Sequence, residues 1–258
     1  MMISFQRVTK SFGSYTALQD ISLDFARGRF VSVVGPSGCG KSTLLNLAAG
    51  LGAPSSGTVR VGGEPLSGIN RRASYMFQQD ALLPWKTVLD NVRLGLTFRD
   101  QDGGDRAREW LHRVGLDGFG DRYPAQLSGG MRKRAAMAQA WIVDPEIVLM
   151  DEPFGALDVH TRIKMESEIL ELWQGSGKTV VFVTHDLEEA IGMSDEVVVL
   201  SAGPASHVVG RYEIDLPRPR ALLDIKTDDR FHEYYRHIWS TLRQEVVRVH
   251  TGDDHPAG

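Results

Sequence analysis

Apolar and polar positions follow two alternating patterns along this chain. Continuous apolar runs at residues 30–34, 147–150 and 179–183 are typical of parallel strands that are covered on both faces. A helical pattern at 161–173 separates the last two runs. Shorter strand patterns occur at 3–8, 18–25, 57–63, 73–78 and 197–200. This alternation of strands and helices predicts a layered α/β fold.

Helical patterns dominate between residues 85 and 142. They cover 88–96, 105–114 and 129–142, and glycine-rich turns at 102–104 and 115–120 interrupt them. Because strand patterns resume after this region, we predict a helical insert within the α/β domain at about 85–142.

The C-terminal part of the chain is predicted to leave the α/β domain after residue 215. The proline-rich segment 216–220 is incompatible with regular helix or a central strand, so we expect an extended connector. The helical pattern that follows, up to residue 249, has one apolar stripe, made of Phe231, Tyr234, Tyr235, Ile238, Leu242 and Val246. We expect this helix to pack onto the core; attachment to a membrane surface is the alternative. Residues 250–258 are expected to be a frayed tail.

Composition excludes several classes of protein. The net charge of −4 gives no overall basic field that would attract nucleic acid, so no nucleic-acid partner is expected. No apolar stretch approaches the roughly 20 residues of a membrane-spanning helix, and the first residues lack the layout of a signal peptide. The single cysteine, Cys39, cannot form an internal disulfide, which fits a reducing cytoplasm.

A glycine-rich loop connects the apolar run 30–34 to a helical pattern. It reads Gly35-Pro36-Ser37-Gly38-Cys39-Gly40-Lys41-Ser42-Thr43. Glycines allow successive backbone N–H groups to point inward, and the N-terminus of the following helix adds the positive end of its dipole. Lys41 is placed to reach the β- and γ-phosphates, and the Ser42 hydroxyl to ligate Mg²⁺. An ordinary glycine turn is the alternative, but the strand–loop–helix context favours a nucleotide triphosphate site.

Polar residues follow two of the apolar strands directly. Asp151 and Glu152 come after the run 147–150, where Asp151 suits Mg²⁺ binding and Glu152 suits a general base that activates water. Because Pro153 follows, capping of a turn is the alternative. His185 lies two residues after the run 179–183 and is a candidate hydrogen-bond donor to the γ-phosphate, since ligands gather at the carboxyl ends of parallel strands. A purely structural histidine is the alternative.

A second candidate anion site precedes the helical pattern at 129–142. Ser128 is a natural N-cap, and its hydroxyl together with the N–H groups of Gly129 and Gly130 forms an anion-binding helix N-terminus. A simple capped helix is the alternative. Met131 begins the apolar stripe of this helix, whereas residues 132–134 (Arg-Lys-Arg) are expected to be largely solvated. Two anion sites in one chain suggest that one of them serves a nucleotide held by a neighbouring copy.

Taken in the order in which they occur along the chain, these motifs resemble those of the ATP-binding subunits of ATP-binding-cassette (ABC) transporters, over about residues 3–210. The resemblance implies a P-loop NTPase core with an N-terminal antiparallel β lobe and a helical insert. Gly35–Thr43 matches the Walker A loop, Gln78 the Q-loop glutamine, 127–131 the signature motif, 148–152 the Walker B strand with its glutamate, 156–158 the D-loop and His185 the switch histidine. The complete set is much more specific than any single motif.

The resemblance also implies a homodimer that binds ATP and Mg²⁺ between its subunits. ATP on one subunit would be covered by Ser128, Gly129 and Gly130 of the other, with the D-loop residue Asp158 beside it. Gln78 would sense Mg²⁺ and the attacking water. Phe12 would stack on the adenine, with Tyr15 as the second choice. Met131 stands where glutamine is more usual, which puts a side-chain contact there in doubt.

Residues 82–87, Met131 and residues 215–220 together resemble the nitrate/sulfonate/taurine importer branch of this family. This implies separate transmembrane permease subunits, a solute-binding protein and a location on the cytoplasmic face of the cell membrane. Residues 82–85 either line the groove that receives the permease or pack within the helical insert.

Three alternatives to an importer subunit remain open. One is an exporter subunit, and another is an ABC ATPase acting in translation or on DNA. The third is a P-loop kinase, which would leave residues 128–130 and His185 unexplained. The transported solute is not encoded in this subunit, which would not touch it.

Overall fold

The computed structural model describes residues 1–98, 103–155 and 157–252. These residues form a four-stranded and a six-stranded β-sheet with helices packed around them. The strands are β1 (Ile3–Phe12), β2 (Tyr15–Phe25), β3 (Phe30–Val34), β4 (Ser56–Val61), β5 (Glu64–Pro65), β6 (Ala73–Met76), β7 (Ile147–Asp151), β8 (Thr179–Val183), β9 (Glu196–Leu200) and β10 (Val208–Glu213).

The N-terminal lobe is the four-stranded antiparallel sheet, in the order β2-β1-β4-β5. The first two strands are longer than the sequence predicts, because Phe12 pairs with Tyr15 across the hairpin. The predicted turn over residues 10–15 is therefore confined to Gly13 and Ser14, and Gly13 adopts the positive φ of 59° that this turn requires.

The six-stranded sheet has the strand order β10-β9-β3-β8-β7-β6, and this order determines where the candidate site lies. All neighbours from β9 to β6 are parallel, and only β10 at the edge is antiparallel. Parallel pairing brings the carboxyl ends of β3, β7 and β8 to one edge, so the segments that follow these three strands meet there.

Both faces of this sheet are buried, which explains the continuous apolar runs. Along β8, Val180 and Phe182 belong to the apolar cluster on the side of the helical insert. Val181 and Val183 belong to the opposite cluster, between the sheet and the N-terminal lobe. Alternation along a strand thus buries every residue when both faces are covered.

The α-helices are α1 (Lys41–Ala49), α2 (Val88–Val92), α3 (Leu94–Thr97), α4 (Gly104–Arg113), α5 (Gly129–Trp141), α6 (Val159–Trp173), α7 (Leu187–Met193) and α8 (Asp229–Gly252), with short 3₁₀ turns at Pro124–Gln126 and Ile225–Thr227. The helix predicted at 88–96 is divided into α2 and α3. The strand predicted at 73–78 ends at Met76, so Gln78 lies in the following loop. Asp102 and Ala156, from the predicted turn and D-loop, lie outside the described residues.

The C-terminal segment packs on the core as predicted. After β10 the chain runs without regular structure to Asp224, and α8 then buries Phe231, Ile238 and Leu242 against α7 and the edge of the sheet. The helix reaches Gly252, so residues 250–252, predicted to belong to a frayed tail, are helical, and residues 253–258 lie outside the described part. Within residues 1–98, 103–155 and 157–252, no helix combines the length and the apolar character needed to cross a bilayer.

Candidate functional site

The glycine-rich loop lies at the carboxyl end of β3, the strand in the middle of the sheet. All five residues of β3 are buried, and α1 begins at Lys41 immediately after the loop. Gly38 and Gly40 have φ angles of 77° and 90°, which residues with a Cβ adopt only with strain. A Cβ at Gly40 would also lie 2.8 Å from the Leu18 Cδ2 atom. The glycines are thus required by the tight path of the loop into the helix.

Lys41 is folded over this loop. Its Nζ atom donates hydrogen bonds to the carbonyl oxygens of Gly35, at 2.9 Å, and Pro36, at 3.1 Å. The side chain is buried, so the ammonium group is held beside the loop rather than extended into solvent. Cys39 is buried below the loop, and burial raises the pKa of its thiol, which makes it an inert packing residue. The site therefore combines a fixed positive charge with a helix N-terminus, the arrangement that binds phosphate groups.

The Ser42 hydroxyl donates to Asp151 Oδ1 at 3.0 Å. Asp151 is the last residue of β7, and its second oxygen accepts a hydrogen bond from the Tyr75 hydroxyl at 3.3 Å. Burial raises the pKa of the Asp151 carboxyl, while the bonds from Ser42 and Tyr75 act in the opposite direction. Burial also raises the pKa of Tyr75, as does the neighbouring Asp151 charge, so the phenol stays a donor.

Glu152 contacts the other two predicted catalytic residues, Gln78 and His185. Its Oε2 atom accepts a hydrogen bond from Gln78 Nε2 at 3.3 Å and lies 3.2 Å from His185 Nδ1. The Glu152 backbone has a φ of 41°, a conformation that costs about 1–3 kcal/mol for a residue with a side chain. A hydrogen bond from its N–H to the Val183 carbonyl, at 2.9 Å, helps to hold this conformation. The strained backbone of Glu152 is therefore held in place at the carboxyl edge of the sheet, together with its carboxylate.

Several of these groups line one cavity of about 370 Å³. Its lining residues come from the glycine loop, the first turn of α1, the Q-loop and the end of β7, namely Ser37, Gly38, Gly40, Lys41, Ser42, Thr43, Gln78 and Glu152. A hydroxyl, a carboxylate and an amide oxygen (Ser42, Asp151 and Gln78) form a donor set that suits Mg²⁺, which prefers few protein ligands and completes its shell with phosphates and water. Among the residues that the structure describes, no group of three or more His, Cys, Asp or Glu side chains is placed to hold a metal ion.

The second candidate anion site lies outside the lining of this cavity. The Ser128 side chain caps α5 by accepting a hydrogen bond from the Met131 N–H at 3.3 Å. Gly130 packs against the start of α6, because a Cβ on Gly130 would lie 3.0 Å from the Thr161 Cγ2 atom. Asp158 caps α6 by accepting from the Thr161 N–H at 3.1 Å, and this bond lowers the pKa of its carboxyl. Residues 128–130 and Asp158 are thus neighbours, separate from the glycine loop of their own chain.

The two candidate adenine-stacking residues face each other across the end of the β1–β2 hairpin. Phe12 is 56% exposed and Tyr15 is 47% exposed. Lys10 Nζ lies 4.9 Å from the centroid of the Phe12 ring. The Tyr15 hydroxyl and the Gly38 carbonyl oxygen both lie within 3.4 Å of the point where a Cβ on Gly203 would be. Both aromatic side chains are therefore accessible, and the Tyr15 hydroxyl lies near the phosphate loop.

Comparison with known proteins agrees with this geometry. Residues 18–155 match the family model described as ABC transporter, which is more than half of the chain. The chain belongs to the ABC transporter ATP-binding family. As an ABC ATPase, it hydrolyses ATP in a reaction coupled to transport across a membrane.

Three relatives illustrate the range of similar proteins. An uncharacterized ABC transporter ATP-binding protein of Methanocaldococcus jannaschii is 46% identical, covering 90% of this chain and 86% of its own. An aliphatic sulfonates import ATP-binding protein of Bacillus cereus is 40% identical, over 92% of this chain and 94% of its own. A nitrate import ATP-binding protein of Synechococcus elongatus is 40% identical over 90% of this chain, which spans 36% of that longer protein.

Solved structures give the same fold. A dimeric ATP-binding cassette in a post-hydrolysis state, bound to ADP and Pi, superposes with a TM-score of 0.74 at 34% identity. It covers 84% of this chain and all of its own. The predicted P-loop NTPase fold of the ABC type, with its antiparallel β lobe and helical insert, is confirmed.

The prediction that residues 132–134 are largely solvated is wrong. Lys133 is only 6% exposed and donates to the carbonyl oxygens of Phe77 and Gln78. Arg134 is half-buried, donates to the Val114 carbonyl at 3.1 Å and forms an ion pair with Glu168 at 3.2 Å. The signature helix, α5, packs against both the Q-loop and the rest of the insert. Its basic side chains therefore bind groups of the protein, although the helical pattern alone predicted that they face solvent.

Sequence reasoning also missed Tyr75, whose hydroxyl holds Asp151. Its position one residue before the end of β6, the neighbour of the Walker B strand, is the signal that would have indicated it. Met131, where this chain departs from the usual glutamine, is partly buried against the core of the insert. Its side chain thus serves packing, which leaves the capped N-terminus of the signature helix intact.

Proposed function

We propose that this ABC ATPase drives an importer for a small anion of the nitrate, sulfonate or taurine class. The sulfonate and nitrate import relatives support the direction of transport and the class of solute. In this proposal, two copies bind two ATP molecules between them, close, hydrolyse the ATP and reopen, and separately encoded permease subunits convert this cycle into transport. A solute-binding protein delivers the solute, and the ATPase is held at the cytoplasmic face of the cell membrane by the permease.

The position of Glu152 is the observation that carries the hydrolytic mechanism. Its carboxylate borders the cavity of the phosphate loop and contacts both Gln78 and His185. We assign Glu152 as the general base that polarises the attacking water, and His185 as a hydrogen-bond donor to the γ-phosphate. Ser42, Asp151 and Gln78 would hold Mg²⁺, which neutralises charge on the phosphates.

The separation of the two anion sites within one chain supports a dimer that shares its nucleotides. Residues 128–130 do not line the cavity of their own phosphate loop. A second copy, facing the first, would bring its capped helix N-terminus to the γ-phosphate, with Asp158 beside it. The solved cassette that resembles this chain is a dimer bound to ADP and Pi, which supports pairing of two copies.

The surface after the Q-loop supports docking of a permease. Leu82 is buried against the insert. The Asn91 side chain forms hydrogen bonds with both the N–H and the carbonyl of Leu83, so Leu82 and Leu83 serve packing. Trp85, in contrast, is 72% exposed. We assign Trp85 to the contact with the permease, because an exposed tryptophan is a common interface anchor.

Glu152→Gln tests the hydrolytic assignment. We expect ATP binding to be retained and turnover to fall by more than about 100-fold, since an amide cannot accept the proton of water. Steady-state phosphate release and size-exclusion chromatography with light scattering, with and without ATP, measure both effects. The ATP-bound variant should elute as a stable dimer. Glu171→Gln, an exposed glutamate on α6, is the matched control. Unchanged hydrolysis would remove Glu152 from the role of base.

Mixing two inactive variants tests the shared site. Lys41→Ala disables the phosphate loop and Ser128→Arg blocks the signature site. In a mixed dimer both changes fall on the same composite site, so the other site is intact and nucleotide hydrolysis should return. A mixture as inactive as its components would contradict the sharing of ATP between copies.

A further inference from the structure

Lys133 connects the signature helix to the loop that carries Gln78. Its ammonium group donates to the Gln78 carbonyl and, at 3.4 Å, to the Phe77 carbonyl. The lysine lies in the second turn of α5, and 55 residues of chain separate it from Gln78. The contact is therefore a tertiary one, between the helical insert and the edge of the central sheet.

The neighbouring residue holds the other end of the same loop. Arg132 Nε donates to Asp80 Oδ2 at 2.6 Å, and its Nη1 donates to the Leu127 carbonyl at 3.0 Å. Two consecutive cations of the signature helix thus hold the segment 77–80 at both ends.

Burying the Lys133 ammonium is costly for folding alone. The side chain is 6% exposed, and burial lowers the pKa of its amine, with Asp80 opposing this shift. An apolar side chain of similar length would fill the same space without the desolvation penalty of a charge. The positive charge is therefore explained by the two carbonyl oxygens that it binds rather than by packing.

The loop that Lys133 holds leads directly to the reacting groups. The Gln78 side chain donates to Glu152, which in turn contacts His185. We infer that Lys133 is a positioning residue for ATP hydrolysis, which fixes the Gln78 backbone to the signature helix so that the Gln78 amide stays on Glu152. In the dimer, this bond links the signature site serving one nucleotide to the Q-loop serving the other. The inference rests on the proposed roles of Gln78 and Glu152.

A double-mutant cycle with Gln78 tests this role. Lys133→Met should lower kcat for ATP about 10-fold through misplacement of Gln78, with KM within about twofold, because the phosphate loop is untouched. Gln78→Ala should lower kcat by a similar factor. In the Gln78→Ala background, Lys133→Met should change kcat by less than about twofold, since residues that act through one another are not additive.

Three controls separate positioning from folding. Lys133→Arg keeps a donor for the carbonyls and should restore most of kcat. Lys164→Met, at an exposed lysine on α6, should match the wild type. Melting temperatures report on folding, and if Lys133→Met fails to fold, Lys133→Ala, which also lacks a donor, replaces it in the cycle and must show the same non-additivity.

The outcomes distinguish this inference from the proposed function. If Gln78→Ala hydrolyses ATP at the wild-type rate, the assignment of Gln78 falls, and the role of Lys133 falls with it. Two results would refute only the role of Lys133, provided that Gln78→Ala is impaired. Either Lys133→Met lowers kcat by the same factor with and without Gln78→Ala, or Lys133→Met does not lower kcat at all. A loss of stability with unchanged kcat per folded molecule also refutes it.

Discussion

A buried pair of glutamates makes the stability of this protein depend on pH. Glu166 on α6 and Glu189 on α7 line a cavity of about 210 Å³ beneath the C-terminal connector. Glu166 is 5% exposed, and burial, reinforced by the Glu189 charge and Asp186, raises its pKa to about 7, against opposing effects of Lys226 and Arg162. Burial likewise raises the pKa of Glu189 to about 7.

The sign of the effect follows from proton binding. The folded protein keeps a proton on Glu166 up to about pH 7, whereas the unfolded chain releases it near the ordinary value of 4.5. The stabilisation is therefore complete below pH 4.5 and is lost as the pH rises to about 7. The difference of 2.5 pKa units (7 − 4.5) corresponds to about 3 kcal/mol, part of which belongs to the repulsion from Glu189.

Glu166→Gln removes this loss because an amide stays neutral. We expect the variant to exceed the wild type in free energy of unfolding by about 2 kcal/mol at pH 8, and to match it within about 0.5 kcal/mol at pH 5. Urea unfolding followed by tryptophan fluorescence from pH 5 to 8.5 measures both, with the exposed Glu171→Gln as control. A variant no more stable than wild type at pH 8, or one whose advantage is equal at both pH values, would refute the reasoning.

Three further experiments probe other parts of the molecule. Lys41→Ala should weaken ATP binding by about 10-fold or more in calorimetric titration, since it removes a charge-assisted contact to phosphate; a fully active variant would refute the phosphate assignment. Phe12→Ala and Tyr15→Ala should separate the adenine candidates, as the stacking residue loses about 1 kcal/mol or more of nucleotide affinity and the other loses none. Arg220→Met should lower stability by about 2–4 kcal/mol in urea unfolding, because it strands buried carbonyls at 191, 192, 194, 214 and 216, whereas the exposed Arg236→Met should not.

Features carried by short stretches of sequence were predictable because their causes are local. The phosphate loop depends on glycines with positive φ between an apolar strand and a helix, all within a few residues. The cap of α5 by Ser128 and the end of α1 at Gly50, in the left-handed conformation, have the same local character. The burial of both faces of the sheet is readable from the continuous apolar runs.

Features that depend on tertiary contacts escaped prediction. The strand β10 pairs at the sheet edge with a mixed pattern of half-buried and exposed residues, and α7 is a helix of only seven residues. Arg220 looks like part of a solvated Pro-Arg connector, yet it is buried and burial lowers its pKa to about 10. Secondary-structure propensity does not reveal that such residues are buried, because the partners of their polar groups lie on distant segments of the chain.

The sequence by itself determined the family, the layered α/β fold and the residue types that handle phosphate, because each motif is a short segment with a fixed backbone requirement. Tertiary structure alone decided how these segments meet. It placed Ser42 against Asp151, which is 109 residues away, and Gln78 and His185 against one oxygen of Glu152. It also buried Lys133 on the Q-loop, since only packing of the insert on the sheet brings a donor on one to the carbonyls of the other.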